Sequence, residues 1–188
     1  MRTLIAVAGS QYPYLNPQWG LSADTWRAKL VSLYVRLTHH ECSNPVCKQA
    51  SFTYGVGFPT LWRHENLDDA THEWLKGEFA HCPMSFFQQM NRSVARGSLV
   101  PVSGDPRLPR SFVDAAPKTS ARVAFFAGEL NRCFLPESQR KTFALFEQWQ
   151  PGRHALHVLP EYAHLDVFLG KEAARDVFPL MLEELDHG

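Results

Sequence analysis

The chain has 188 residues, 45% of them hydrophobic, and its 19 Lys and Arg balance 19 Asp and Glu. That length fits one domain with a sizeable core. The zero formal charge argues against an electrostatic nucleic-acid binder, which would carry a basic stripe, and no apolar run approaches the ~18–20 residues of a membrane span.

The opening MRTLIAVAGS reads as a buried strand over Thr3–Ala8, because its apolar stretch is too short for a signal peptide. Pro13, Asn16, Pro17 and Gly20 make the next stretch a loop. Ser22 or Asp24 then opens a helix that carries Trp26, Leu30, Leu33, Tyr34 and Leu37 at helical spacing to about Thr38. A second helix starts at Asn66 or Asp68, with Leu67, Ala70, Thr71, Trp74 and Leu75 on one face. A third runs from Pro83 to about Ala95, and Gly97–Lys118 is a proline-rich connector. The remainder reads as a strand (Arg122–Ala127), a helix (Pro136–Trp149), a strand (Ala155–Leu159) and a last helix (Lys171–Leu185). This β-α-β-α order predicts an α/β fold with three parallel strands and flanking helices. Residues 15–115 form one long helical insertion between the first two strands, and an insertion of that size usually covers a site as a lid.

Two stretches carry a family resemblance. FFAGELNRCFLPES followed by PEYAHLDVFLGKEAARDVFP resembles the end of the α/β-hydrolase-like module in cholesterol-oxidase-like fusion proteins of the glucose–methanol–choline oxidoreductase group. CSNPVCKQASFTYG and LDDATHEWLKGEF resemble its lid. The resemblance covers about Arg2 to Leu185, with Ala163 where that family usually has Gly. It implies the C-terminal half of a hydrolase sheet, strands six to eight, with the lid between six and seven. Strand five and the nucleophile elbow would then precede residue 1. No Gly-x-Gly-x-x-Gly follows any strand, so no flavin site and no other cofactor is expected. The reaction implied for a complete protein is ester or related acyl hydrolysis. The alternative is a non-catalytic domain that binds an apolar ligand or packs on a flavoprotein oxidase.

Within that frame His164, after the third strand, takes the place of the general base. The acid belongs just after the second strand, where the chain has Asn131, with Glu129 two residues earlier as a substitute. An asparagine orients a histidine but does not offset imidazolium charge. Asp166 reads as a brace for the His164 loop, and Cys133 as a buried thiol. Ser10 is a poor nucleophile, since an elbow needs small residues on both sides and here Ala8 and Tyr12 flank it. Cys42 and Cys47 with His39 and His40, joined through folding by His72, His81 and Cys82, raise the option of zinc. Packed thiols or a local disulfide are the plainer reading, and no metal is assigned.

The partners expected are a hydrophobic ester or sterol-like molecule, and an N-terminal hydrolase half or a flavoprotein oxidase. Self-association through the uncharged edge of Thr3–Ala8 is a further expectation. Four cysteines do not demand a disulfide framework, and a reducing cytoplasm is the default compartment.

Overall fold

The computed structural model describes residues 3–7, 43, 44, 47, 61–78, 84–101 and 103–187, the first five as backbone alone. Ser10, the helix expected near Ser22–Thr38, and His39, His40, Cys42, His81, Cys82 and Pro83 lie outside the described residues.

The class is mixed α/β. Strands β1 (Thr3–Val7), β2 (Arg122–Gly128) and β3 (Ala155–Leu159) pair in parallel in the order β1-β2-β3. Ile5 stands opposite Ala124, and Phe126 opposite His157. From Val123 to Gly128 β2 is apolar and buried on both faces, and its period of two sorts the side chains. Val123 and Phe125 pack with Phe146 on one side. Ala124 and Phe126 pack on the other with Leu159, Tyr162, Val167, Ala173 and Val177. Phe125 and Phe126 are 2% and 0% exposed, a burial that stabilises by roughly 2–3 kcal/mol each.

Two further segments precede β2. A 3-10 turn at His64–Asn66 leads into α1 (Asp69–Trp74), and α2 spans Met84–Arg96. Asp68 caps α1, accepting from the Thr71 amide at 2.7 Å. Leu67 and Leu75 are buried with Leu61, Trp62, Met90, Cys47 and Cys133. Ala70 and Trp74 depart from the expected apolar face: Ala70 is exposed and Trp74 is 53% exposed. The inward row is Leu67, Thr71 and Leu75, four residues apart, and Ala70 and Trp74, one position back, turn toward solvent.

α3 (Pro136–Trp149) starts with proline in its first turn, where the missing N–H costs nothing. It lays Phe146 edge-on against Phe125, ring centroids 5.4 Å apart. Its exit turn is held by Glu147, which accepts from the amides of Gly152 (2.7 Å) and His154 (3.1 Å). His154 Nδ1 in turn accepts from the Val123 amide at 3.1 Å, tying the turn to the start of β2.

Over Lys171–Leu185, where a single last helix is expected, the chain forms two short ones, α5 (Ala173–Asp176) and α6 (Phe178–Asp186), and a further short helix, α4 (Asp166–Leu169), precedes them. Pro179 lacks an N–H, and its ring collides with a carbonyl one turn back, so the helix breaks at Val177 (φ −111, ψ −50). Gly170 is extended (φ −65, ψ 136), and a Cβ there would overlap the Asp166 carbonyl oxygen. Among the described residues no helix is long and apolar enough to cross a membrane.

Candidate functional site

The loops after β2 and β3 meet at the carboxyl ends of their strands and are joined through main chain. The Glu129 amide donates to Leu159 O (2.9 Å) and the Leu130 amide to Tyr162 O (2.9 Å), while within the first loop the Asn131 amide donates to Gly128 O (3.2 Å). Gly128 is pressed so closely into the second loop that a Cβ would overlap the carbonyl oxygens of Tyr162 and Ala163. Glycine is needed here for approach, not for a left-handed turn.

This junction brings Asn131 to His164, Nδ2 standing 3.1 Å from Nδ1. The orientation of the Asn131 amide follows from its other end. Oδ1 accepts from the backbone N–H groups of Cys133 (3.0 Å) and Phe134 (2.9 Å). Exchanging O for N would set an NH2 group against two donors in a side chain only 2% exposed, leaving buried donors unpaired at about 1–3 kcal/mol each. So Nδ2 donates to His164, Nδ1 accepts, and the ring proton sits on Nε2. Burial pushes the imidazole pKa down to about 4, which keeps it neutral at pH 7. Phe134 covers the ring at a centroid distance of 5.3 Å. Leu61 O holds the backbone, accepting from the amides of His164 (3.2 Å) and Leu165 (2.7 Å).

Asp166 braces the loop from beneath. It is 0% exposed. Its Oδ1 accepts from the Ala163 amide (2.7 Å), and its Oδ2 from Asn66 Nδ2 (2.6 Å) and the Arg63 amide (3.4 Å). Burial raises its pKa against the pull of those bonds. Asn66 Nδ2 also donates to Glu161 O at 2.8 Å. Glu161 is the left-handed residue of this turn (φ 65), so Ala163 stands where the resembling family has Gly without needing glycine's backbone freedom. Arg63 and Asn66 were not legible as site residues in the sequence, for their partners are about a hundred positions away.

Glu129 is exposed, and among the described residues no hydrogen bond links its carboxylate to His164. It lines an open depression of about 310 Å³ with Leu130, Asn131, Arg132, Glu137 and Arg140, and His164 is not part of that lining. Cys133 is packed in the core, and burial pushes its thiol far above the usual range.

A second group of chemistry-bearing side chains borders the same core. Cys47 Sγ lies 3.1 Å from His72 Nε2. With His64 these residues bring three ligand atoms within 4.8 Å of one another. Cys47 and His72 belong to the set the sequence offered for zinc. His64 does not, although it stands eight residues before His72 across the Asp68 cap.

Compared with protein-family models, curated proteins and solved structures, the chain matches none of them.

Proposed function

We propose that this chain is the histidine-bearing C-terminal part of an α/β-hydrolase-like module, and that its His164–Asn131 pair works as a hydrogen-bond donor rather than as a general base. The observation that carries this reading is the Asn131 amide, which aims N–H at His164 Nδ1 and so leaves Nε2 protonated. The position supports the hydrolase-like part, since the two residues meet on loops that follow adjacent parallel strands. Residues 15–115 take the part of the lid, and the side of β1 away from β2 that of the contact with a further strand.

A hydrolytic base needs a lone pair on the nitrogen that faces the nucleophile, with an acceptor behind the other nitrogen to stabilise the imidazolium. Here the partner behind the ring is a donor. The neutral imidazole N–H suits the carbonyl oxygen of an ester or of another apolar acyl ligand, which it would hold without cleaving. Association with a flavoprotein oxidase fits a domain of this kind. Ester hydrolysis by a complete protein is the second reading. The place of His164 favours it, but it requires the ring proton to move to Nδ1.

Long-range 1H–15N correlation spectra of the histidines test the proposal. The expected result is the Nε2–H tautomer at His164, with hydrolysis of a short p-nitrophenyl ester at background. An Nδ1–H tautomer, or a robust ester rate abolished by both His164→Ala and Ser10→Ala, overturns it. Asn131→Asp sharpens the test. One carboxylate oxygen keeps the two backbone donors and the other accepts from Nδ1–H, so the proton changes nitrogen and the His164 pKa rises by about one unit or more.

A further inference from the structure

We propose that Cys47, His64 and His72 form a binding site for a zinc-class transition metal, separate from the His164–Asn131 pair. The donor set selects the class: a thiolate with two imidazoles suits Zn2+ and Co2+, whereas Mg2+ and Ca2+ take oxygen ligands. The spacing is close to what the ion needs. Tetrahedral zinc sets sulfur and nitrogen ligands about 3.5 Å apart and two nitrogens about 3.3 Å apart. The three ligand atoms here lie within 4.8 Å of one another, with Cys47 Sγ and His72 Nε2 at 3.1 Å. Shifts of an ångström or less at the side-chain tips would seat the ion.

The surroundings are built for holding. The side chain of Asn44, three residues before Cys47, donates to the His72 carbonyl oxygen at 2.9 Å, so the chain beside the sulfur is fixed to the helix that carries the imidazole. That helix is capped by Asp68 between the two histidines. The His64–Asn66 turn is pinned in turn, with the Lys171 amide donating to Asn66 O at 2.7 Å. The edge-on packing of the two imidazoles, centroids 4.8 Å apart, leaves ring nitrogens from both within reach of the sulfur.

A catalytic thiol–imidazole dyad is the other use of a cysteine beside a histidine. Cys47 is 0% exposed and packed among Leu61, Trp62, Leu67, Leu75 and Met90, where a substrate carbonyl does not reach the sulfur. Burial of that kind suits a structural ion. Binding would deprotonate the thiol, release that proton to solvent, and tie Cys47 to α1 and to the turn before it. The three residues supply three of the four ligands of a tetrahedral site, and a structural ion would complete its shell with one further donor.

The experiment is a titration of the full chain, stripped with a chelator, with Co2+ and then Zn2+. The expected result is stoichiometric Co2+ uptake with a near-ultraviolet sulfur-to-cobalt charge-transfer band, visible bands of tetrahedral intensity, and displacement by Zn2+. Cys47→Ser should lose the charge-transfer band, and His72→Gln should weaken Zn2+ binding by more than about tenfold, since even outer partners of a ligand contribute that much. Cys133→Ser, which removes the other described thiol, should change neither. Absence of the band in the wild-type chain, or its persistence in Cys47→Ser, overturns the proposal. Two measurements on the wild-type chain keep the test sound if a variant fails to fold. Zn2+ should protect Cys47 from alkylation, and affinity should rise with pH as thiol and imidazoles lose their protons. Unprotected Cys47 or a pH-independent affinity counts against the site.

Discussion

Glu184 and Asp166 are both buried carboxylates, and they are held in opposite ways. Glu184, on α6, receives the guanidinium of Arg122 from the start of β2 and Nε2 of His157 from β3 at 2.7 Å. Burial would raise its pKa, but the two partners override it and hold the carboxyl below the ordinary range. Among the described residues Asp166 receives only neutral donors: the Ala163 amide, the Asn66 side chain and the Arg63 amide. There burial wins and the pKa rises. The Arg122–Glu184–His157 network staples a helix to the sheet with charge. The His164 end is shaped by dipoles, and its imidazole is kept neutral by burial. Dipoles fix a geometry without committing a group to an ionised state.

If the His164 end depends on backbone fit, Gly128→Ala should be the most damaging single change, on the order of 4 kcal/mol or complete loss of folding. Urea midpoints measure it, and a loss under about 1 kcal/mol would break the comparison at its stronger side.

Glu184→Gln comes next, at about 3 kcal/mol, because Arg122 keeps its charge and loses its partner. A folded pKa below the unfolded one contributes stability that is lost as pH falls through the folded value. The gap between wild type and Glu184→Gln should therefore narrow below about pH 4. Asp166 has the reverse sign: its raised pKa makes its contribution largest in acid and smaller as pH rises through the folded value. Asp166→Asn should cost about half as much as Glu184→Gln at pH 7, and its gap should widen on acidification. Parallel pH profiles for the two variants would refute the distinction.

His164 supplies the third effect. Its pKa of about 4 lies below that of an ordinary histidine, so its contribution is full above about pH 6.5 and is lost between there and about pH 4, on the order of 3 kcal/mol. His164→Gln should flatten that part of the stability profile. The smallest effect has the opposite direction. Gln139 on α3 is 1% exposed, and neither its amide oxygen nor its nitrogen has a hydrogen-bond partner among the described residues. Gln139→Leu should raise stability by about 1 kcal/mol, and a loss instead would reveal a partner for that amide.

The sheet and α3 were legible because their signals are local. VAFFA is apolar without interruption, and Pro136 marks the first turn of a helix. The last helix was misread because its periodicity runs on through Pro179, and only the ring's clash with the preceding turn divides it. The meeting of Asn131 and His164 followed from where their loops lie. The direction of the Asn131 amide did not, since two backbone N–H groups of the following turn set it and leave no mark in residue identity. The Cys47–His64–His72 group was half visible, as its members come from separate segments with no common period.

The main-chain seam between Gly128 and the Tyr162–Ala163 carbonyls has a further consequence. Because backbone atoms set the distance between residues 131 and 164, that distance is indifferent to whether position 131 carries an amide or a carboxylate. The codons of asparagine and aspartate differ by one nucleotide. A lineage could cross between a proton-transferring pair and a donating pair in either direction by that change alone, with no repair of the scaffold to follow.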